Sequence, residues 1–277
     1  GRIAEVPFSF EVSLSPLSPL VRLSVEFDFG DGTVVGEGEP LPPGKHPPTV
    51  PVWARDDCKL RLCVPLTFRR PEFLAHNAFE LRRPHDLRFP VLRFAVATEG
   101  GRVVAVYTDR QTAGVFREEP PSLEVVLAYG GRFIYAPGEF APLEGRERYE
   151  LALLFGEGDL ESLRVAQLAE ALAHPILALM ASDAFPERRF SLLSLEPEAA
   201  AVLTAAYVEG GRLVLRLWRP YPGERGLTVS VPGAAEMRCC DMRGRPQGGP
   251  LGRERASLTL REAQIVNLTV ALTKRST

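Results

Sequence analysis

The sequence has 277 residues, of which 45% are hydrophobic and 25% are charged, and its formal net charge is −2 at pH 7. This composition is ordinary for a globular protein, and the charge argues against nucleic-acid binding, which needs a basic face. No apolar run approaches the ~18 residues of a membrane-spanning helix, so we expect no membrane partner. Residue 1 is glycine and no basic-then-apolar leader follows it, so we expect a fragment or a processed product.

The first segments alternate apolar and polar residues with the period of a β-strand. Residues 8–15 and 20–29 predict two strands, and the second places Leu23, Val25 and Phe27 on one face. A Gly-Asp-Gly turn follows, and residues 36–51 are so rich in glycine and proline that we expect a loop. The same reasoning predicts later strands at residues 58–68, 89–98, 102–109, 122–129, 132–136 and 148–155.

One stretch departs from the β pattern. Asp159 is placed to cap a helix, Glu161 falls in its first turn, and Pro175 disfavours helix at the residue before it. We therefore predict one helix at about residues 160–173. Short strands with regularly spaced turns follow, including a hairpin about Gly210-Gly211. The prediction is an all-β chain with a large β-sandwich domain over residues 1–189, which includes the helix, and a small β-sandwich domain over residues 190–277.

The cysteines and histidines do not form a metal-binding pattern. Cys239 and Cys240 would point to opposite faces of a strand, and Cys58 and Cys63 lack a second ligand pair at zinc-site spacing. We therefore expect reduced, structural cysteines and a cytoplasmic protein. No His-x-Asp or His-Glu-x-x-His motif occurs, so we expect neither a metal nor a cofactor in this chain.

Four residues are candidates for substrate binding, although no catalytic set is visible. Asp109 and Arg110 lie where a predicted strand ends, and they could either bond a sugar or hold their own turn together. Trp53 could stack on the apolar face of a sugar, as could Trp218 unless its strand position buries it. His85, beside Asp86 in a predicted loop, is the first choice for a base, and the alternative is a contact that orders the loop.

Several segments resemble, in order, the C-terminal β-region of family 38 glycoside hydrolases. Val64-Pro65-Leu66 leads to Phe79-Glu80-Leu81-Arg82-Arg83-Pro84, much as a strand ending in Pro-Leu precedes a Phe-x-x-x-x-Arg-Pro segment in that family. The late hairpin is similar as well, with Val202-Leu203-Thr204-Ala205 followed by Leu213 and residues 215–220. The resemblance covers about residues 58–275. The chain departs from the family pattern at Trp218-Arg219, where Tyr-Asn is usual.

The resemblance implies a retaining enzyme of the α-mannosidase type. It implies a mutarotase-like supersandwich followed by a small sandwich, and neither of them is catalytic. Both would support an upstream α/β-barrel domain of the same polypeptide and contribute to carbohydrate binding. Zinc, the nucleophile and the acid/base would lie in that upstream domain, so no catalytic residue is carried over to this chain. A region that depends on such a domain should expose an apolar patch where its partner is missing.

Three other functions remain open from the sequence. An independent carbohydrate-binding module would line a groove with exposed aromatic side chains. An enzyme resembling aldose epimerases would need a carboxylate and a histidine, either His76 or His85, converging on one pocket. A purely adhesive β-sandwich is the third alternative, suggested by the turn motif in FDFGDGT at residues 27–33.

Overall fold

The computed structural model describes residues 1–33, 35, 59–86, 88–129, 131–132, 140–141, 143–174 and 191–273. The loop predicted over residues 36–51 lies outside the described residues, as do Trp53 and Cys58 and most of the strand predicted at 132–136.

The chain divides into two compact units. The first comprises Gly1–Asn77 and Arg82–Gly158, and the second comprises Ala78–Leu81 and Asp159–Thr277.

Strands account for nearly all regular structure before the helix. They are β1 (Arg2–Ile3), β2 (Val6–Ser13), β3 (Leu20–Asp28), β4 (Lys59–Pro65), β5 (Glu72–Asn77), β6 (Glu80–Arg82), β7 (Arg88–Val91), β8 (Phe94–Glu99), β9 (Arg102–Thr108), β10 (Thr112–Glu118), β11 (Pro121–Tyr129), β12 (Gly131–Arg132), β13 (Phe140–Ala141) and β14 (Arg146–Glu157). They form an eight-stranded sheet in the order β1-β2-β3-β14-β9-β8-β5-β6, a four-stranded sheet in the order β4-β11-β10-β7, and the pair β12-β13.

The eight-stranded and four-stranded sheets share one hydrophobic core, so the first unit is a β-sandwich. Phe116 of β10 stacks on Phe73 of β5 with ring centroids 4.1 Å apart, and it lies 4.0 Å from Phe89 of β7. Burying an aromatic side chain of this size contributes about 1.5–3 kcal/mol. The predicted inner row of β3, Leu23, Val25 and Phe27, is buried in this core.

The second unit contains the helix and the remaining strands. These are α1 (Val165–Ala173), β15 (Ser194–Glu196), a 3-10 turn (Glu198–Ala200), β16 (Val202–Glu209), β17 (Arg212–Trp218), β18 (Arg225–Ser230), β19 (Ala234–Cys240), β20 (Pro246–Gly252), β21 (Arg255–Leu260) and β22 (Ile265–Leu272). A three-stranded sheet, β15-β18-β21, packs against a five-stranded sheet, β16-β17-β22-β19-β20, around a second core. Within the described residues, the prediction of an all-β fold with sandwiches and one helix is therefore confirmed.

The hairpin between β16 and β17 is a structural element of this second sandwich. Gly210 and Gly211 have φ angles of 56° and 75°, the left-handed values that a type I′ turn requires of both central residues. Leu213, Leu215 and Leu217 of β17 face the core. Trp218, at the end of β17, is buried, so its ring is not available as an exposed stacking surface.

The helix is shorter at its beginning than the sequence predicts. The Asp159 carboxylate accepts a hydrogen bond from the Ser162 N–H at 2.6 Å, and the Ser162 hydroxyl accepts one from the Asp159 N–H at 3.1 Å. This reciprocal bonding closes a turn, and Arg164 then adopts a left-handed conformation with φ 55°, so the helix begins only at Val165. It ends at Ala173, as predicted.

The helix belongs to the second unit, whereas the sequence places it in a domain ending at residue 189. The physical reason is a set of buried polar contacts. The Tyr221 hydroxyl accepts a hydrogen bond from the Ala166 N–H at 3.0 Å and donates one to the Gln167 side chain at 2.7 Å. The Gln167 amide donates in turn to the carbonyl groups of Ala199 and Ala201. Hydrogen bonds between residues this far apart in sequence cannot be predicted from the local hydrophobic pattern.

Candidate functional site

Asp109 and Arg110 form a polar cluster where β9 ends. The Arg110 guanidinium lies 3.3 Å from both carboxylate oxygens of Asp109 and 3.5 Å from the Glu147 carboxylate, and it donates to the Arg148 carbonyl at 2.7 Å. It also lies 4.7 Å from the centre of the Tyr149 ring, within the range of a cation–π contact. We call Asp109, Arg110, Glu147 and Tyr149 the Arg110 cluster.

Backbone pairing brings the Arg110 cluster together. β14 pairs with β9, and the Asp109 N–H donates to the Glu150 carbonyl at 3.1 Å. The hydrogen bond to Asp109 is the largest cause of the raised pKa of Arg110, which stays fully charged, and burial is the largest cause of the raised pKa of Tyr149. The arginine thus directs its donors to partners within the protein, while the partly exposed carboxylates of Asp109 and Glu147 can accept further hydrogen bonds from hydroxyl groups.

His85 lies in a different place, on the wall of a cavity of about 180 Å³. The cavity presents polar groups from Asn77, Arg82, His85 and Asp86, and apolar groups from Ala75, Pro84, Phe89 and Pro90. Neither Asp109 nor Arg110 lines it. The structure therefore joins Asp109 to Arg110 but does not bring His85 into their cluster, and Trp53 lies outside the described residues.

His76 does not share the His85 cavity. Its neighbours Ala75 and Asn77 line that cavity, whereas the His76 ring is buried and stacks on Phe94 at 4.9 Å. Burial is the main cause that lowers the pKa of His76 to about 4, with the charge of Arg93 as the second cause. The two histidines considered for an epimerase-like reaction are thus held in different environments.

A second cavity, of about 350 Å³, was not found from the sequence. It is lined by Lys59, Phe89, Pro90 and residues 112–115 of β10, and its walls are mainly apolar. Gly114 lies on its wall and approaches the Phe89 ring closely, because a Cβ atom at this position would lie 2.4 Å from the ring. Residues 112–114 lie outside the strands predicted from the sequence, but they form the start of β10. A glycine within a strand often marks such a close approach, but this strand was not predicted, so the signal could not be used.

The described residues also present an apolar surface on β2. Phe8, Phe10 and Val12 pair with Phe27, Val25 and Leu23 of β3, so both rows lie on the inner face of the eight-stranded sheet. The β3 row is buried, but the β2 row becomes steadily more exposed along the chain. We call its exposed part the β2 overhang, in which Phe10 is 48% and Val12 is 53% exposed. Beyond the end of the strand, Leu14 and Leu17 are also exposed, at 76% and 95%.

Two further observations on the described residues bear on function. Among the residues that the structure describes, no group of three or more histidine, cysteine, aspartate or glutamate side chains is placed to hold a metal ion. In the same residues, no helix has the length and the apolar character needed to cross a membrane.

Comparison with known proteins gives a match in fold alone. No protein-family model matches the sequence, and no curated protein matches it either. An α-mannosidase from Enterococcus faecalis V583 matches 95% of this chain with a TM-score of 0.66 and 12% identity. A protein of glycosyl hydrolase family 38 from Enterococcus faecalis also matches 95% of it, with a TM-score of 0.67 and 14% identity. This chain spans only 28% and 29% of the lengths of those two chains, so its fold corresponds to a part of each.

Proposed function

We propose that this chain is the non-catalytic C-terminal region of an α-mannosidase-type retaining glycoside hydrolase. The observation that carries the proposal is the fold, which over 95% of this chain recurs in an α-mannosidase yet accounts for only 28% of that enzyme. The order of sequence segments that resemble family 38 supports the same assignment independently of the fold. In this proposal the region supports a catalytic α/β-barrel domain located upstream in the same polypeptide, and zinc is bound in that upstream domain.

Two surfaces give this proposal a physical basis. The β2 overhang offers apolar side chains, which an adjoining domain would remove from water at a gain of roughly 25 cal/mol per Å² of buried apolar surface. The Arg110 cluster offers the carboxylates of Asp109 and Glu147, which can accept hydrogen bonds from the hydroxyl groups of a carbohydrate. We also propose a cytoplasmic location, which the free thiols of Cys63, Cys239 and Cys240 favour.

The proposal is tested by comparing the product of the whole gene with the chain Gly1–Thr277 alone. We expect the longer product to hydrolyse an aryl α-mannoside and to carry zinc, and the chain alone to do neither. Hydrolysis by the chain alone would contradict the proposal, and so would a gene that encodes nothing upstream of Gly1. Tight binding of free sugars by the chain alone, measured by calorimetry, would instead favour an independent carbohydrate-binding module.

A further inference from the structure

The outer edge of β2 is paired over only part of its length. β1 pairs with Val6 and Pro7, and Gly1 exchanges two hydrogen bonds with Phe8, at 2.6 and 2.9 Å. β1 is the outermost strand of its sheet, so within the described part of the chain no strand lies beside residues 9–13 on that edge. An exposed strand edge of this kind is a ready template for the addition of another strand.

The unpaired edge presents backbone donors and apolar side chains together. In an antiparallel sheet the N–H groups of successive residues point alternately to the two neighbouring strands. The Phe8 N–H points to Gly1, so those of Phe10 and Val12 point to the same outer edge. The side chains of these two residues belong to the β2 overhang. An incoming strand could therefore satisfy the backbone and cover apolar surface at the same place.

We propose that the segment directly upstream of Gly1 in the longer polypeptide continues β1 along residues 9–13 of β2 and covers the β2 overhang. This inference rests on the proposed function, because that function requires an upstream polypeptide. β1 runs antiparallel to β2, with Arg2 opposite Pro7 and Gly1 bonded to Phe8. A chain extended backward from Gly1 in strand conformation thus lies beside Ser9 and the residues after it. About five residues cover this edge, at about 3.3 Å per residue.

A second copy of the chain fits the same edge less well. Antiparallel pairing of residues 9–13 with their own symmetry mate, centred on Glu11, would place two Glu11 carboxylates directly opposite each other. Like charges at directly opposed positions destabilise a strand pair. The upstream segment carries no such constraint, and because it is joined to Gly1 it binds intramolecularly.

Hydrogen–deuterium exchange of the β2 amides tests this inference. The longer gene product and the chain Gly1–Thr277 are compared over a peptide that spans residues 9–14. We expect exchange at Phe10 and Val12 to be at least about tenfold slower in the longer product, because these amides become hydrogen-bonded. The control is β16, an edge strand of the second unit that exposes Leu203 and Val208 and whose exchange should not change.

A pair of variants of the longer product separates strand pairing from a general effect of chain length. Val12→Asp places a charge in the covered row and should restore fast exchange over residues 9–14. Ser9→Asp, on the opposite face of β2, should leave the exchange slow. Equal exchange over residues 9–14 in both forms of the protein would overturn the inference. So would protection in the chain alone that depends on concentration and accompanies a dimer in sedimentation, since the occupant would then be a second copy.

The outcomes also distinguish this inference from the proposed function. An active α-mannosidase whose β2 amides exchange as they do in the isolated chain refutes the strand pairing and leaves the proposed function intact. An inactive longer product with protected β2 amides supports the pairing and contradicts the enzymatic assignment. A gene with no coding sequence upstream of Gly1 overturns both.

Discussion

The two sandwiches of this chain complete their interiors in different ways. In the first unit the two sheets pack through a core rich in aromatic rings, and the inner-face row of the wider sheet is exposed at Phe10 and Val12 of β2. In the second unit a buried polar network around Arg219 and Tyr221 joins the helix to the end of β17. In the proposed function the first unit offers this surface to another structure, whereas polar contacts internal to the second unit hold its parts together.

The largest effect is expected from removing the centre of the polar network. Arg219 is 2% exposed and donates to the carbonyl groups of Ala200, Pro222 and Gly223 and to the Glu161 carboxylate. Arg219→Met removes these four hydrogen bonds, including the one to the buried Ala200 carbonyl, and should lower the free energy of unfolding by about 3–5 kcal/mol, measured by urea denaturation. Arg225→Met is the control, because this half-exposed arginine contacts the same glutamate and should contribute only about 0.5 kcal/mol. Equal effects of the two variants would contradict the central role of Arg219.

A cross-strand pair compares the covered and uncovered rows of the first unit directly. Leu23 is 4% exposed and lies opposite Val12, which is 53% exposed. Leu23→Ala should cost about 2–5 kcal/mol by leaving a cavity, whereas Val12→Ala in the isolated chain should change stability by less than about 0.5 kcal/mol. A large cost for Val12→Ala would show that the β2 overhang is already covered within this chain.

His76 gives the first unit a dependence on pH. Its pKa is lowered from 6.5 to about 4 in the folded protein, so the unfolded state binds more protons between these values. The stability contribution of neutral His76 is therefore complete above pH 6.5 and is lost as the pH falls toward 4, by up to about 3 kcal/mol. His76→Gln should flatten this part of the pH–stability curve measured by denaturant titration. A variant whose stability falls as steeply as that of the parent would contradict the assignment.

The smallest effect concerns the close approach at Gly114. Gly114→Ala forces a Cβ against the Phe89 ring and should cost about 1–3 kcal/mol through overpacking, measured as a fall in Tm and in the urea midpoint. Gly226, also a strand residue, has no atom within 4 Å of such a Cβ, so Gly226→Ala serves as the matched control and should cost little. Equal stability of the two variants would contradict this prediction, because the Phe89 ring would then have moved aside without a cost in free energy.

Local patterns predicted the elements better than their assembly. Alternation identified the buried row of β3, and Gly210-Gly211 marked the β16–β17 hairpin because such a turn needs left-handed backbone, which glycine adopts without strain. The beginning of the helix was missed because Asp159 caps a separate turn with Ser162. The assignment of the helix to the second unit depends on Tyr221, which is distant in sequence.

The candidate site was less predictable for the same physical reason. Arg110 could be identified as a candidate, but its partners Glu147 and Arg148 come from β14, and only the pairing of distant strands brings them near. The exposure of Phe10 and Val12 likewise depends on which parts of the chain pack against the inner face of β2, and the alternation of residues within β2 does not encode this. Whether Asp109, Arg110, Trp53 or His85 contacts a sugar stays a prediction.

The most direct test of the central proposal is the α-mannosidase activity of the longer gene product with and without residues Gly1–Thr277. If this region supports an upstream catalytic domain, its deletion should lower kcat/KM on an aryl α-mannoside by at least about a hundredfold, although the catalytic residues lie elsewhere. An upstream fragment that folds and retains full activity without this region would contradict the proposal that the region supports catalysis.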